Sequence, residues 1–317
     1  VGEIRSRNRE FRDEYIVIGA HFDHIGMGGP GSGSRKPKAD QIHPGADDNA
    51  SGTAGLLELA QKLSANVGHL KRSVLLVAFD AEEKGLLGSK HFIKSSPVDI
   101  KNITTMINMD MIGRMSDSSY TVGGVGTSPY FEYLLDSLKR GRFFNLIMNK
   151  PGFGPSDHAA FYSENIPVLF FFSGFHDEYH APDDTWQLIN LKGEKYILDF
   201  IYDLVFHLAR SPKKPVFQEA GPKQGQMGSP RKFNVTFGIM PSYGSTKIGL
   251  EIDAISKEDG PAAVAGMKKG DIIKSINNKP IKDIYEYMDR LGDIKPGMTV
   301  PVLIERKEKE ITIDVTF

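Results

Sequence analysis

The stretch Tyr15-Ile16-Val17-Ile18-Gly19-Ala20-His21-Phe22-Asp23-His24 decides how the chain is read, because an unbroken apolar run passes directly into two imidazoles and a carboxylate. A strand covered on both faces has no polar side to alternate with, so it reads as a continuous apolar run and belongs to a largely parallel sheet flanked by helices. Working outward, Val74–Asp80, Thr104–Asp110, Asn145–Met148 and Val168–Phe172 have the same texture. Between them, residues 51–63 set Leu56, Leu59, Ala60 and Leu63 on one helical face. Residues 194–210 do the same with Ile197, Ile201, Leu204, Val205 and Leu208, and both stripes read as core. The expectation is an α/β domain over residues 1–210, with a mixed, largely parallel sheet and helices on both faces.

A length of 317 residues suits one large domain and one small one. Residues 211–232 lose all periodicity and carry Pro212, Pro215, Gly221, Pro222, Gly225, Gly228 and Pro230, the composition of a linker. From Phe233 to Phe317 the texture turns to short β-runs, with Val302–Arg306 and Ile311–Phe317 as a closing hairpin and helical stretches near Ala262–Gly266 and Asp283–Leu291. A formal net charge of −1 gives no basic excess for nucleic acid or anionic lipid, and no apolar run nears the roughly 20 residues of a membrane span. Cysteine is absent, which excludes disulfides, thiolate nucleophiles and Cys-ligated zinc, so any metal must rest on His, Asp and Glu. The chain opens at Val1 almost directly before a strand, and a removed signal or upstream segment is expected.

Acids and imidazoles gather where the candidate strands end. After the first come His21, Asp23 and His24, and the next loop holds Gly45-Ala46-Asp47-Asp48-Asn49-Ala50-Ser51-Gly52. The later strands run into Asp80-Ala81-Glu82-Glu83, into Asp110 and into Asp177-Glu178-Tyr179-His180. Open α/β sheets bind ligands outside the carboxyl ends of their strands. Taken singly, each piece has an ordinary explanation: a surface loop, a helix N-cap, a solvated acid pair. Together, carboxylates crowded at one edge repel each other and shift their pKa values unless cations neutralise them. An HxD pair adds an imidazole for zinc and a carboxylate that can fix its tautomer.

The motifs GAHFDHIG, GADDNASG, DAEEKGLLGS, NMDMIG, SDHAAF and YHAPDDT occur in this order. Over residues 12–208 the chain resembles the zinc aminopeptidases of metallopeptidase clan MH, which include bacterial leucine-type aminopeptidases and glutamate carboxypeptidase. The resemblance implies two Zn2+ ions per chain. His21, Asp48 and Asp110 would hold the first, and Asp48, Glu83 and His180 the second, with Asp48 bridging. Asp48 is preferred to Asp47 because the family's ligand lies three residues before the Ser of the SG pair, here Ser51. The resemblance also makes Glu82 the general base and Asp23 the residue that orients His21. Tyr179 resembles a hydroxyl that stabilises a developing oxyanion in some relatives, or it packs. His24 and His43 read as loop residues, His158 as structural or pocket-lining, and Gly26–Gln41 as a mobile rim.

Residues 233–317 resemble a bacterial PDZ domain through FGIM at Phe237–Met240 and through GPAAVAGMKKGDIIKSINNKPI. That resemblance implies capture of a peptide C-terminus or extended segment by strand addition, with Thr236, Phe237, Gly238, Ile239 and Met240 receiving it. Alternatively the domain only packs on the peptidase or shapes its cleft. The expected activity is removal of N-terminal residues from peptides with a free amine. Glutaminyl cyclase, carboxypeptidase or an inactive PDZ-bearing binding protein are the alternatives. The intact GADDNASG and HxD motifs lean against the cyclase, and the presence of every expected ligand leans against the inactive shell. Family habit places such a protein outside the cytoplasm, secreted or periplasmic.

Overall fold

Residues 15–21 form a strand because they fill space on both sides of a sheet. Ile16, Ile18 and Ala20 enter one apolar cluster and Tyr15 and Val17 another, so alternate residues serve opposite faces. Gly19 interrupts the large side chains for a steric reason: a Cβ there would lie 2.5 Å from Phe79 Cε2. The computed structural model describes residues 1–29, 32–37, 40–223, 234–242, 247–257 and 259–317. The chain divides into two units, Val1–Gly174 with Glu178–Gln226, and Phe175–Asp177 with Met227–Phe317.

The first unit contains strands β1 (Gly2–Ile4), β2 (Tyr15–His21), β3 (Ser73–Phe79), β4 (Ile103–Met109), β5 (Ser119–Gly123), β6 (Asn145–Met148) and β7 (Val168–Phe172). They form one sheet in the order β1-β3-β2-β4-β7-β5-β6. The central run β3-β2-β4-β7 is parallel throughout, β5 pairs parallel with β6, and β1 and β5 join their other neighbours antiparallel. Helices α1 (Gly52–Ala65) and α5 (Leu191–Arg210) lay Leu56, Leu59, Leu63, Ile197, Ile201 and Leu204 on the face that Ile16 and Ile18 supply. Phe92 of α2 (Leu87–Lys94) and Phe161 of α4 (His158–Ser163) close the other face with Val17, Val77 and Met106. Helix α3 (Phe131–Lys139) adds Phe131, Leu134 and Leu135 to the first cluster. Burying each of these large side chains stabilises by roughly 1.5–3 kcal/mol, which explains why the sheet centre is mostly apolar. No helix among the described residues is long and apolar enough to cross a membrane.

Part of the stretch read as linker packs on this unit. Gln218 donates its backbone N–H to Thr127 O at 2.8 Å, and Tyr162 both accepts from Ala220 N and donates to Gly221 O. Linker residues 224–232 lie outside the described residues.

The second unit contains β8 (Ile239–Pro241), β9 (Leu250–Ile255), α6 (Pro261–Val264), β10 (Ile272–Ile276), β11 (Lys279–Pro280), α7 (Ile284–Gly292), β12 (Thr299–Arg306) and β13 (Lys309–Thr316). Its order is β13-β12-β10-β9-β8, with β11 on β10 and every pairing antiparallel. Asn277 and Asn278, both at positive φ, make the tight turn between β10 and β11. Phe237, Ile252, Ile273, Val302, Ile304 and Val315 are fully buried at its centre. The buried Asp271 carboxylate takes both Nε and Nη2 of Arg306 at 2.7 Å and caps Lys268 N at 2.8 Å.

Candidate metal centre

Parallel neighbours end at the same edge, so the residues that follow β2, β3, β4 and β7 are brought together by topology alone. His21 closes β2, Glu82 and Glu83 follow β3, Asp110 follows β4, and the chain after β7 returns through Tyr179 and His180. Asp48 comes from the turn Ala46–Ser51, whose backbone leaves helical geometry at Asp48 and Asn49 before leading into α1. His21 Nε2 lies 3.3 Å from Asp48 Oδ1 and 3.4 Å from Asp110 Oδ1. His180 Nε2 lies 3.1 Å from Asp48 Oδ2 and 3.3 Å from Glu83 Oε2. Asp48 thus turns one oxygen to each imidazole, and all five residues expected to bind metal meet at one place.

Buried side chains hold this arrangement. The Asp184 carboxylate, wholly buried, accepts the backbone N–H of Asp47 at 3.0 Å and of Asp48 at 3.2 Å, and its carbonyl accepts Ala46 N at 3.1 Å. Asp47 points elsewhere: its Oδ1 accepts from Gly113 N at 2.7 Å and Ser51 Oγ at 3.0 Å. Asp23 acts differently from expectation. Its carbonyl oxygen, at 3.0 Å, is nearer to His21 Nδ1 than its carboxylate at 3.7 Å. That carboxylate instead accepts Glu82 N at 3.0 Å and Glu83 N at 3.3 Å, anchoring the loop that carries both glutamates. His180 is braced by the rim loop, because Gly33 O lies 3.0 Å from its Nδ1 and Arg35 N donates to its carbonyl at 3.0 Å. A proton held on Nδ1 leaves the Nε2 lone pair facing Asp48 and Glu83.

The electrostatics are those of a site built around positive charge. Burial disfavours the His21 cation, yet Asp110 and Asp48 push its pKa far up. His180 likewise rises to about 10 against its burial, through Asp48 and Glu83. Burial works against the charge of Asp48 too, but His180 and His21 hold it well below the usual carboxylate range. Glu82 is pushed up to about 9 by burial and by Asp110, with His21 opposing and Asp157 and Glu83 adding. Tyr179 stacks on His180 with ring centroids 3.8 Å apart, and burial followed by the charge of Asp48 lifts its hydroxyl well above the ordinary phenol range.

Zinc fits this donor set. Two ligands of one tetrahedral zinc, each about 2.0–2.2 Å from it, lie roughly 3.3–3.5 Å apart. The imidazole–carboxylate separations of 3.1–3.4 Å match that spacing on both sides of Asp48. The buried Glu83 Oε1 faces His24 Nδ1 at 2.9 Å without good hydrogen-bond alignment, which leaves room for an ion to complete its surroundings.

Several residues of the site escaped the sequence reading. Asp184 sits in the quoted YHAPDDT, but an acid whose partners are backbone amides leaves no spacing signature. Gly33 contributes only a carbonyl. Asp157, in SDHAAF, is wholly buried and pushed up to about 7, first by burial and then by Asp110 and Asp23, while Ser89 and His21 pull it down. His24, read as a loop residue, is drawn into the second cluster with Asp48 and Glu83.

Comparison with known proteins agrees with this geometry. Residues 248–317 match the PDZ domain family, and serine endoprotease DegS of Escherichia coli K12 is 41% identical over 68 residues, 22% of this chain and 19% of that protein. Aminopeptidase YwaD of Bacillus subtilis is 30% identical over 213 residues, 64% of this chain and 43% of that protein. The crystal structure of BSAP, a zinc aminopeptidase from Bacillus subtilis, superposes with a TM-score of 0.55 at 25% identity, covering 69% of this chain and 52% of that one. The chain spans about half the length of these aminopeptidases. Residues 1–205, most of the chain, with all seven strands of the first unit and the clustered His, Asp and Glu side chains just described, match peptidase family M28, and the chain belongs to that family.

Proposed function

We propose that this chain is a two-zinc exopeptidase that removes N-terminal residues from peptides, with Glu82 as general base. The observation that carries the proposal is the division of Asp48, whose Oδ1 faces His21 and whose Oδ2 faces His180. His21, Asp48 and Asp110 would hold one ion and Asp48, Glu83 and His180 the other. When bound, such a pair polarises the scissile carbonyl and acidifies water. The chain's own part is proton handling and orientation. Glu82 takes a proton from the attacking water and returns it to the leaving amine. Its place is set through its backbone N–H, which Asp23 holds. The Tyr179 hydroxyl, kept protonated by burial and nearby acids, can donate to a developing oxyanion. The preference for a free amine rests on likeness to proteins named as aminopeptidases.

The second unit is proposed to capture a peptide C-terminus or extended segment. Strand β8 ends its sheet among the described residues, and Gly238, at φ 74°, turns the chain just before it.

One experiment tests the catalytic reading. The zinc-loaded protein should carry two zinc ions per chain and cleave free-amine peptides but not their N-acetylated forms. Glu82→Gln should lower turnover by about 10²–10⁴-fold while keeping both ions. One ion per chain would favour the cyclase, cleavage indifferent to acetylation a carboxypeptidase, and undiminished turnover in Glu82→Gln would remove the base.

A further inference from the structure

We infer that His24 is an additional ligand of the second metal, beside Asp48, Glu83 and His180, so that this site carries two imidazoles where the first carries one. The inference rests on the two-metal reading and adds to it a residue that the motif resemblance leaves in a loop. Between the metal-edge residues His21 and His24 the chain turns Phe22 out to solvent, 56% exposed, while the His24 side chain is only 9% exposed. Its Nδ1 lies 2.9 Å from Glu83 Oε1 and 3.8 Å from Asp48 Oδ2. One ligand atom from each of His24, Asp48 and Glu83 can be chosen so that all lie within 4.8 Å of one another. The His24 and His180 rings meet edge to face at 5.6 Å, so both imidazoles border the same carboxylates.

Two observations separate a ligand from a packed side chain. His24 Nε2 is buried without a hydrogen-bond partner among the described residues, and its Nδ1 faces Glu83 Oε1 at 2.9 Å, an ion-pair distance without hydrogen-bond alignment. A buried imidazole satisfied so poorly is unfavourable unless an ion also draws on the two groups. The turn carrying Asp48 is also shaped around this ring. Gly45, at φ 59°, opens that turn, and a Cβ there would fall 2.3 Å from Asp48 O and 2.6 Å from His24 Cγ, so the turn's backbone and the ring together leave no room for a side chain.

The consequence is asymmetry. A second site closed by four protein groups binds first and more tightly, and the first, with three, keeps more room for water and substrate.

Cobalt(II) tests this directly. In the dicobalt protein each imidazole bound to a paramagnetic ion gives one strongly shifted ring N–H proton resonance. Three are expected, from His21, His180 and His24, and His24→Gln should leave two and weaken one of the two metal-binding steps about tenfold or more. A wild-type protein that holds two cobalt ions yet shows only two shifted N–H resonances would overturn the assignment of His24 and leave the two-metal reading standing. A wild-type protein that never takes up a second ion would instead overturn the two-metal reading. Because the wild-type spectrum alone is decisive, a variant that failed to fold would not rescue the idea.

Discussion

On the proposed reading, the two units place their recognition at the margin of a sheet, but by opposite means. The first crowds acids and imidazoles beyond the carboxyl ends of β3, β2, β4 and β7, so its chemistry belongs to side chains. The second offers β8, at the end of its sheet among the described residues, where the recognising groups would be backbone N–H and C=O. Side-chain chemistry is exacting about residue identity, whereas backbone chemistry asks only that the chain be extended and unpaired. The first unit should therefore fail on a single atom's change, and the second should tolerate conservative changes along its edge.

The most severe test is Asp48→Asn. The amide keeps the shape and the backbone bonds from Asp184 but surrenders the charge shared by both imidazole sets. Metal content should fall below one per chain and kcat/KM by about a thousandfold or more, as measured on zinc-saturated protein. Retention of both metals would show that the side-chain cradle is more redundant than the comparison allows.

Against that stands the second unit. If β8 receives peptide through its backbone, Ile239→Val should change affinity less than about threefold. Amidating the peptide's C-terminal carboxylate should weaken binding roughly tenfold or more, the worth of charge-assisted hydrogen bonds. Titration calorimetry with paired peptides measures both, and equal affinity for acid and amide would dismiss terminal capture.

The same contrast explains what could be read from the residues. Acids and imidazoles at strand ends stand out by residue type, but the choice of His21, Asp48, Glu83, Asp110 and His180 among them came from the family resemblance, and the fold brings those five together. The apolar runs at Tyr15, Val74 and Val168 were equally plain, since strands covered on both faces are mostly apolar, although β4 buries Thr104, Thr105 and Asn108 on hydrogen-bond partners. Strand β5 was not, because Ser119-Tyr120-Thr121-Val122-Gly123 is short, mixed and framed by Asp117 and Ser118 at positive φ. Supporting groups were the least legible. Asp23 was expected to hold His21 by its carboxylate, but spends that carboxylate on the amides of Glu82 and Glu83. Asp184 and Gly33 act on or through the backbone, and only folding brings them near.

Charge can also serve structure alone, and the second unit supplies the case. Asp271, 1% exposed, is held by two hydrogen bonds from Arg306 and one from Lys268 N. Asp271→Asn removes the charge that holds a guanidinium still 27% exposed, and should destabilise the unit by about 2 kcal/mol. Chemical denaturation of the variant checks this, and a loss below about 1 kcal/mol would mean that the guanidinium finds adequate hydration.

A pH-dependent effect is expected at Glu194, an acid that the first unit buries with no paired cation among the described residues. It lies in the first turn of α5, 8% exposed, and burial, then Asp47 and Glu58, push its pKa up to about 7 from an ordinary value of 4.5. Below 4.5 the carboxyl is neutral in folded and unfolded chains alike, and nothing is lost. As pH rises from 4.5 to 7, the unfolded chain releases the proton while the folded one keeps it, so the unfolded state gains and stability falls, by at most about 3 kcal/mol. Glu194→Gln removes this titration but keeps the shape. The variant should match the parent near pH 4.5 and exceed it increasingly up to pH 8. Taking the difference between the two proteins cancels the protonation of the metal ligands, which both share. A gap that stays constant from pH 5 to 8 would show that Glu194 is charged in the fold at no penalty, and that unpaired acids in this unit do not need a cation to be tolerated.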